Sequence, residues 1–200
     1  MWHRLIRALG LGLALATLGL TQPSQAATSD PTGFVQDLGD QSIKILKGST
    51  DLGTRKAAFS KIFTQDFDVP KIGRFVLGRY WQQATPEQQK DYIAVFGEYV
   101  VNLYSGQFSS YSGEQFKVQG SRPGEQGRTT VNSQIVRPNG GPPIQIDWTL
   151  QQEDGGYKII DVSAEDISLT LTKRQEFASV IEKGGGVQAL IDLLKQKIAQ

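Results

Sequence analysis

The chain falls into two regimes of hydrophobic spacing. From about residue 29 to 112 the apolar side chains recur every three or four positions, as amphipathic helices require. Phe34, Leu38, Ile45 and Leu46 mark a first helix that ends at Gly48, and Leu52, Phe59, Ile62 and Phe63 mark a second. Asp66-Phe67-Asp68-Val69-Pro70 breaks the pattern. Pro70 then suits the first turn of a third helix carrying Phe75, Val76, Tyr80 and Trp81. The best-defined start is Thr85-Pro86-Glu87-Gln88, where Thr85 caps, Pro86 opens the helix and Gln88 completes a capping box. The helix it opens is expected to reach Tyr111, roughly 27 residues and about 40 Å. Tyr92, Ile93, Val95, Phe96, Tyr99, Val100, Leu103, Tyr104 and Phe108 cover more of it than one buried stripe needs, which predicts a central helix with several apolar neighbours.

After Gly113 the period changes to two. Phe116 and Val118 begin a strand, Ser121-Arg122-Pro123-Gly124 turns, and Thr129 to Val136 forms the next strand. The run Pro138-Asn139-Gly140-Gly141-Pro142-Pro143 is dense in turn formers. Ile144, Ile146, Trp148 and Leu150 then alternate with Gln145, Asp147, Thr149 and Gln151, as in a half-buried antiparallel strand. Asp154-Gly155-Gly156 leads into a fourth strand, Tyr157 to Ser163. Thr172 to Lys183 returns to helix, Gly184-Gly185-Gly186 interrupts, and Val187 to Ile198 closes the chain. The layout is α+β: a curled antiparallel four-stranded sheet with helices on one side. Two readings fit so apolar an interior, an ordinary packed core or a dry cavity between sheet and helices, and periodicity alone leaves both open.

Composition narrows the chemistry. Two hundred residues suit a single domain, and 38% apolar with 20% charged residues suits a folded one. A formal charge of +1 argues against a nucleic-acid partner. Residues 1–26 read as a secretory signal: Arg4 and Arg7 precede an apolar run from Ala8 to Leu20, and Ser24-Gln25-Ala26 offers a small-x-small cleavage site. Cleavage after Ala26 is expected, leaving residues 27–200 as one domain in the periplasm. The sequence holds no Cys, and its one His, His3, leaves with the signal. Triads, thiolate nucleophiles and His-ligated zinc are thereby excluded from the mature protein.

The remaining polar candidates are weak. Asp66 and Asp68 lack a third ligand and read as helix caps rather than a metal site. Asp147 and Asp161, on polar strand positions, read as solvated side chains, and the triglycine lacks the frame of a phosphate loop. Arg74, Arg79, Arg122 and Arg137 are scattered charges that also suit a phosphate headgroup or an acidic partner. The rival reading is a small pocket enzyme of isomerase type, using Tyr99, Tyr104 and Asp147 without any His.

Several segments in order carry a resemblance. Val76-Leu77-Gly78-Arg79-Tyr80-Trp81, Ala84-Thr85-Pro86-Glu87-Gln88-Gln89 and the stretch from Phe96 to Tyr104 resemble the MlaC (toluene-tolerance) family. So do Pro138-Asn139-Gly140, Ile146-Asp147-Trp148, Tyr157-Lys158-Ile159-Ile160-Asp161-Val162, Ala164-Glu165-Asp166-Ile167-Ser168 and Thr172-Lys173-Arg174-Gln175-Glu176-Phe177. The family usually has Gly where Asp166 stands; Asp also tolerates positive φ, so the turn is expected to be kept. The resemblance implies a periplasmic phospholipid carrier without catalytic residues or cofactor. Its implied partners are phospholipid, an inner-membrane MCE-domain ring on an ABC transporter, and an outer-membrane lipoprotein complex. A related branch is associated with hopanoids, which keeps that cargo open. Strand parity and the central helix then give an expected lipid-binding lining of Leu77, Tyr80, Phe96, Val100, Tyr104, Val131, Ile135, Ile146, Trp148 and Leu169.

Overall fold

The computed structural model describes residues 30–48, 51–106, 111–153 and 155–200. The expected signal segment, Phe108 and Asp154 lie outside them. Six α-helices and five strands follow in the order α1 (Pro31–Gly48), α2 (Leu52–Asp66), α3 (Val69–Leu77), α4 (Pro86–Ser105), β1 (Gln115–Pro123), β2 (Arg128–Val136), β3 (Ile144–Glu153), β4 (Gly156–Ala164), β5 (Ile167–Ser168), α5 (Leu169–Gly184) and α6 (Val187–Ile198). A 3₁₀ turn, Gly78–Gln82, joins α3 to the loop before α4. The sheet is an antiparallel meander ordered β1-β2-β3-β4-β5. A fifth strand of two residues joins the four expected, and α5 starts at Leu169 instead of Thr172, capped by the Ser168 side chain on the Leu171 amide.

The local rules explain most boundaries. Both halves of the Thr85/Gln88 capping box form at the head of α4. Its α-helical stretch stops at Ser105, short of the expected Tyr111. Asp51 and Asp68 cap α2 and α3 through the amides of Thr54 and Lys71. The turn from β4 to β5 places Glu165 at φ 49° and Asp166 at φ 64°, so the expected left-handed turn forms with Asp at this position. Helix α4 is central, as its apolar girth predicts, with α2, α3 and α6 all packed against it.

The interior is two clusters, not one. Helices α3 to α6 enclose the first, around Tyr92, Phe96, Phe177, Leu190 and Ile191. The second lies between α1, α2 and the sheet, around Val35, Leu38, Val131, Leu150 and Ile159. Phe67, just after α2, packs against both. The corner between α2 and α3 is tied to the sheet there, where the Asp68 amide donates to the Ile159 carbonyl at 3.0 Å.

Candidate functional site

Where the two clusters fail to merge, a cavity of about 250 Å³ remains. A dry engineered cavity of about 150 Å³ already takes benzene. One wall is a ladder of phenylalanines from α2 and its C-terminal cap: Phe59, Phe63 and Phe67. Their four-residue spacing stacks them on one side, with ring centroids 6.1 Å apart for Phe59 and Phe63 and 5.0 Å for Phe63 and Phe67. Ile72 and Val76 of α3, and Phe96, Val100 and Tyr104 of α4, form the next wall. The sheet contributes Trp148, Asp161 and Val162, and the start of α5 adds Leu169, Thr170 and Lys173.

Trp148 is held from two sides. Its indole Nε1 donates to the Ser133 hydroxyl at 2.8 Å, and Ser133 donates onward to the Ile146 carbonyl at 3.0 Å. Phe116 meets the indole edge-on at 6.1 Å between centroids. The ring is fixed without any polar atom being left unsatisfied toward the cavity.

A bulge in β4 precedes Asp161, which borders the cavity. Leu150 pairs with Ile159 and Thr149 with Asp161, so Ile160 is the extra residue on β4. Beyond it the alternation resets, and Val162, opposite Trp148, points inward with it. The Asp161 carboxylate accepts from the Val162 amide at 2.8 Å, the Ser168 hydroxyl at 2.6 Å and the Thr170 amide at 3.1 Å. It fastens β4 to the first turn of α5.

Lys173 donates to Glu176 at 2.6 Å, and its side chain is 19% exposed. Burial works against its charge, but Glu176 and the phenols of Tyr99 and Tyr104 outweigh this and hold its pKa above the ordinary lysine value. Burial raises the Tyr104 phenol as well. Both groups keep their ordinary neutral-pH forms, a cation beside a neutral phenol.

Of the ten residues expected to line a pocket, Phe96, Val100, Tyr104, Trp148 and Leu169 meet around this cavity. Leu77 and Tyr80 sit in the helical cluster, where the Tyr80 hydroxyl donates to Glu182 at 2.8 Å. Val131 is fully buried in the cluster against the sheet, while Ile135 and Ile146 are half-buried on β2 and β3 without reaching the cavity. The phenylalanine ladder is absent from that expectation although its spacing in the sequence announced it.

The expected cations lie elsewhere. Arg79 pairs with Glu182 at 2.5 Å, and Arg74 lies 5.8 Å from the centre of the Trp81 ring. Arg122 pairs with Asp147 at 3.2 Å, and neither Arg122 nor Arg137 borders the cavity. Asp147 also accepts from Asn132 at 2.8 Å. It stands on the opposite face of β3 from Trp148, so it and Tyr104 do not converge as an acid–base pair would need to. Among the described residues no group of three His, Asp or Glu side chains is placed to hold a metal ion.

A second, larger hollow of about 650 Å³ lies between α2 and α4. Small residues, Gly53, Ala57 and Ser60 on one helix and Ala94 and Gly97 on the other, keep it open. Phe63 and Phe67 border both hollows.

A model of the MlaC protein family matches residues 36–196. The chain belongs to the MlaC family. Among its relatives is the toluene tolerance protein ttg2D of Pseudomonas putida, 23% identical over 129 residues, a match spanning 64% of this chain and 60% of that protein. Among solved structures, the phospholipid-binding protein from Ralstonia solanacearum, in complex with a phospholipid, superposes with a TM-score of 0.74. It is 26% identical, and the match covers 86% of this chain and 98% of that one. The MlaC fold therefore extends from α1 to α6, and the cavity is a feature of that fold in this chain.

Proposed function

We propose that this protein is a periplasmic carrier that shields the acyl chains of a phospholipid while ferrying it between the outer and inner membranes. The apolar cavity at the seam between sheet and helices carries this reading: it is dry in character, sized for hydrocarbon and lined by no converging catalytic set. The phospholipid seated in the Ralstonia solanacearum relative supports it. Each methylene kept from water is worth about 0.8 kcal/mol, so a 16-carbon chain disfavours open water by roughly 12 kcal/mol. Unassisted diffusion of such a lipid through an aqueous compartment is negligible, and a carrier only has to match the apolar surroundings of the bilayer. Binding then rests on area with few hydrogen bonds, which leaves release feasible.

The signal-like residues 1–26 support export. The docking partners in this reading are an MCE-domain ring on an inner-membrane ABC transporter and a lipoprotein complex at the outer membrane. The job is binding and transfer, with no bond made or broken.

Native mass spectrometry of the purified mature protein, with the released ligand identified after denaturation, tests the reading. A two-chain phospholipid, and a mature N-terminus at Ala27, are expected. A compact polar ligand that is turned over would establish an enzyme instead. Val162→Trp fills the cavity from its half-buried sheet wall and should cut co-purifying lipid at least tenfold while the protein still melts cooperatively. Undiminished lipid in that variant would rule this cavity out as the binding place.

A further inference from the structure

One cation borders the cavity among the described residues, and it is Lys173. The hydrophobic wall gives way to polar groups only where Asp161, Thr170 and Lys173 meet. Asp161 is fully engaged, because three donors of β4, Ser168 and Thr170 converge on its carboxylate. Two amides at the start of α5 are taken as well: Thr170 donates its N–H to Asp161 and Leu171 donates its N–H to Ser168. Lys173 differs from both. An ammonium has three donors, and Glu176 takes one of them, from a side chain half exposed to water. Two donors are left on an ammonium whose side chain is four-fifths covered and borders the cavity.

We propose that Lys173 binds the phosphate of the cargo headgroup and thereby selects lipids that carry a phosphodiester over neutral lipids with the same chains. The inference rests on the carrier reading and adds a specificity determinant to it. A phosphodiester anion brings acceptor oxygens to an ammonium already held in place by Glu176, so little ordering remains to be done. Tyr104, whose phenol stays neutral, borders the cavity beside it and can add a hydroxyl donor to a second phosphate oxygen. A lipid without phosphate leaves the half-buried Lys173 with Glu176 alone.

The experiment offers delipidated protein equal amounts of dioleoylphosphatidylglycerol and dioleoylglycerol in detergent micelles and counts each bound species by native mass spectrometry. The native protein should favour the phospholipid by about tenfold, the scale of one charged hydrogen bond. Lys173→Met should bring the ratio close to one, and Lys173→Arg should restore most of it. An unchanged ratio in Lys173→Met overturns the inference while leaving the carrier reading intact. Failure of the native protein to take either lipid overturns both. Should Lys173→Met melt early, Lys173→Gln and the Arg variant supply the same comparison. A millimolar excess of inorganic phosphate should leave the ratio standing, since the chains tether the headgroup at high local concentration. Collapse of the ratio in phosphate would identify the free anion as the ligand and overturn the headgroup assignment.

Discussion

Tyr92 shows how little polar chemistry this interior tolerates. Its ring stacks on Phe96 with centroids 5.7 Å apart, and its hydroxyl is buried without a partner among the described residues. Burial pushes the phenol far above its ordinary pKa, so it stays neutral at every workable pH. Replacing Tyr92 with Phe removes an unmet donor and keeps the packing. The variant should gain about 1 kcal/mol in guanidinium unfolding, and a loss of that size would mean the hydroxyl has a partner. Asp161 is the opposite case. Asp161→Ala strands the Thr170 amide and the Ser168 hydroxyl, and urea midpoints should register a cost of about 2 kcal/mol. Residue type alone foretold neither behaviour. Alternation along β4 has a period of two, whereas Asp161 owes its direction to one extra residue, Ile160, that no alternation pattern can reveal.

Elements were far more legible than their orientations. The Thr85 capping box, Pro70 at the head of α3 and the alternation from Ile144 to Leu150 each act within a few residues, so the sequence carries them openly. Which side chains would border empty space depends on how α2 and the sheet approach one another, a long-range outcome. That is why Phe96, Val100, Tyr104, Trp148 and Leu169 were readable as apolar faces, while Val131 and Leu77 have the same pattern in solid packing. One approach is dictated by a missing side chain. A Cβ on Gly39 of α1 would lie 2.1 Å from the Phe116 ring, so Gly39→Ala must push α1 off β1, costing about 1–3 kcal/mol in thermal or urea unfolding. Helix starts also set an acid limit. Hydrogen bonds from Thr32 and Thr54 hold the Asp30 and Asp51 carboxyls below the ordinary 3.8. A depressed carboxyl contributes stability above its unfolded pKa and loses it as pH falls through the folded one. Urea midpoints should therefore drop below about pH 4, and Asp51→Asn, which still caps, should shrink that drop.

For the molecule as a whole, the carrier reading links cargo and stability. Anything that binds the folded chain alone raises its melting temperature with ligand concentration. Delipidated protein should melt several degrees below lipid-loaded protein, and calorimetry with and without added phospholipid checks it; equal melting points would mean that the cavity holds no structural ligand. The two clusters lead to the expectation that the delipidated protein still folds. Each also closes around large side chains away from the seam, Tyr92 and Leu190 in one, Val35 and Ile159 in the other, so much of the packing does not involve the cavity wall.

The phenylalanines that border both hollows have a consequence for capacity. Phe63 and Phe67 stand as a partition between the two hollows, in ring contact with each other at 5.0 Å between centroids. If the carrier reading holds, the room available to a tail is set by where two aromatic rings stand, and a shift of those rings alone would join both hollows into one longer slot.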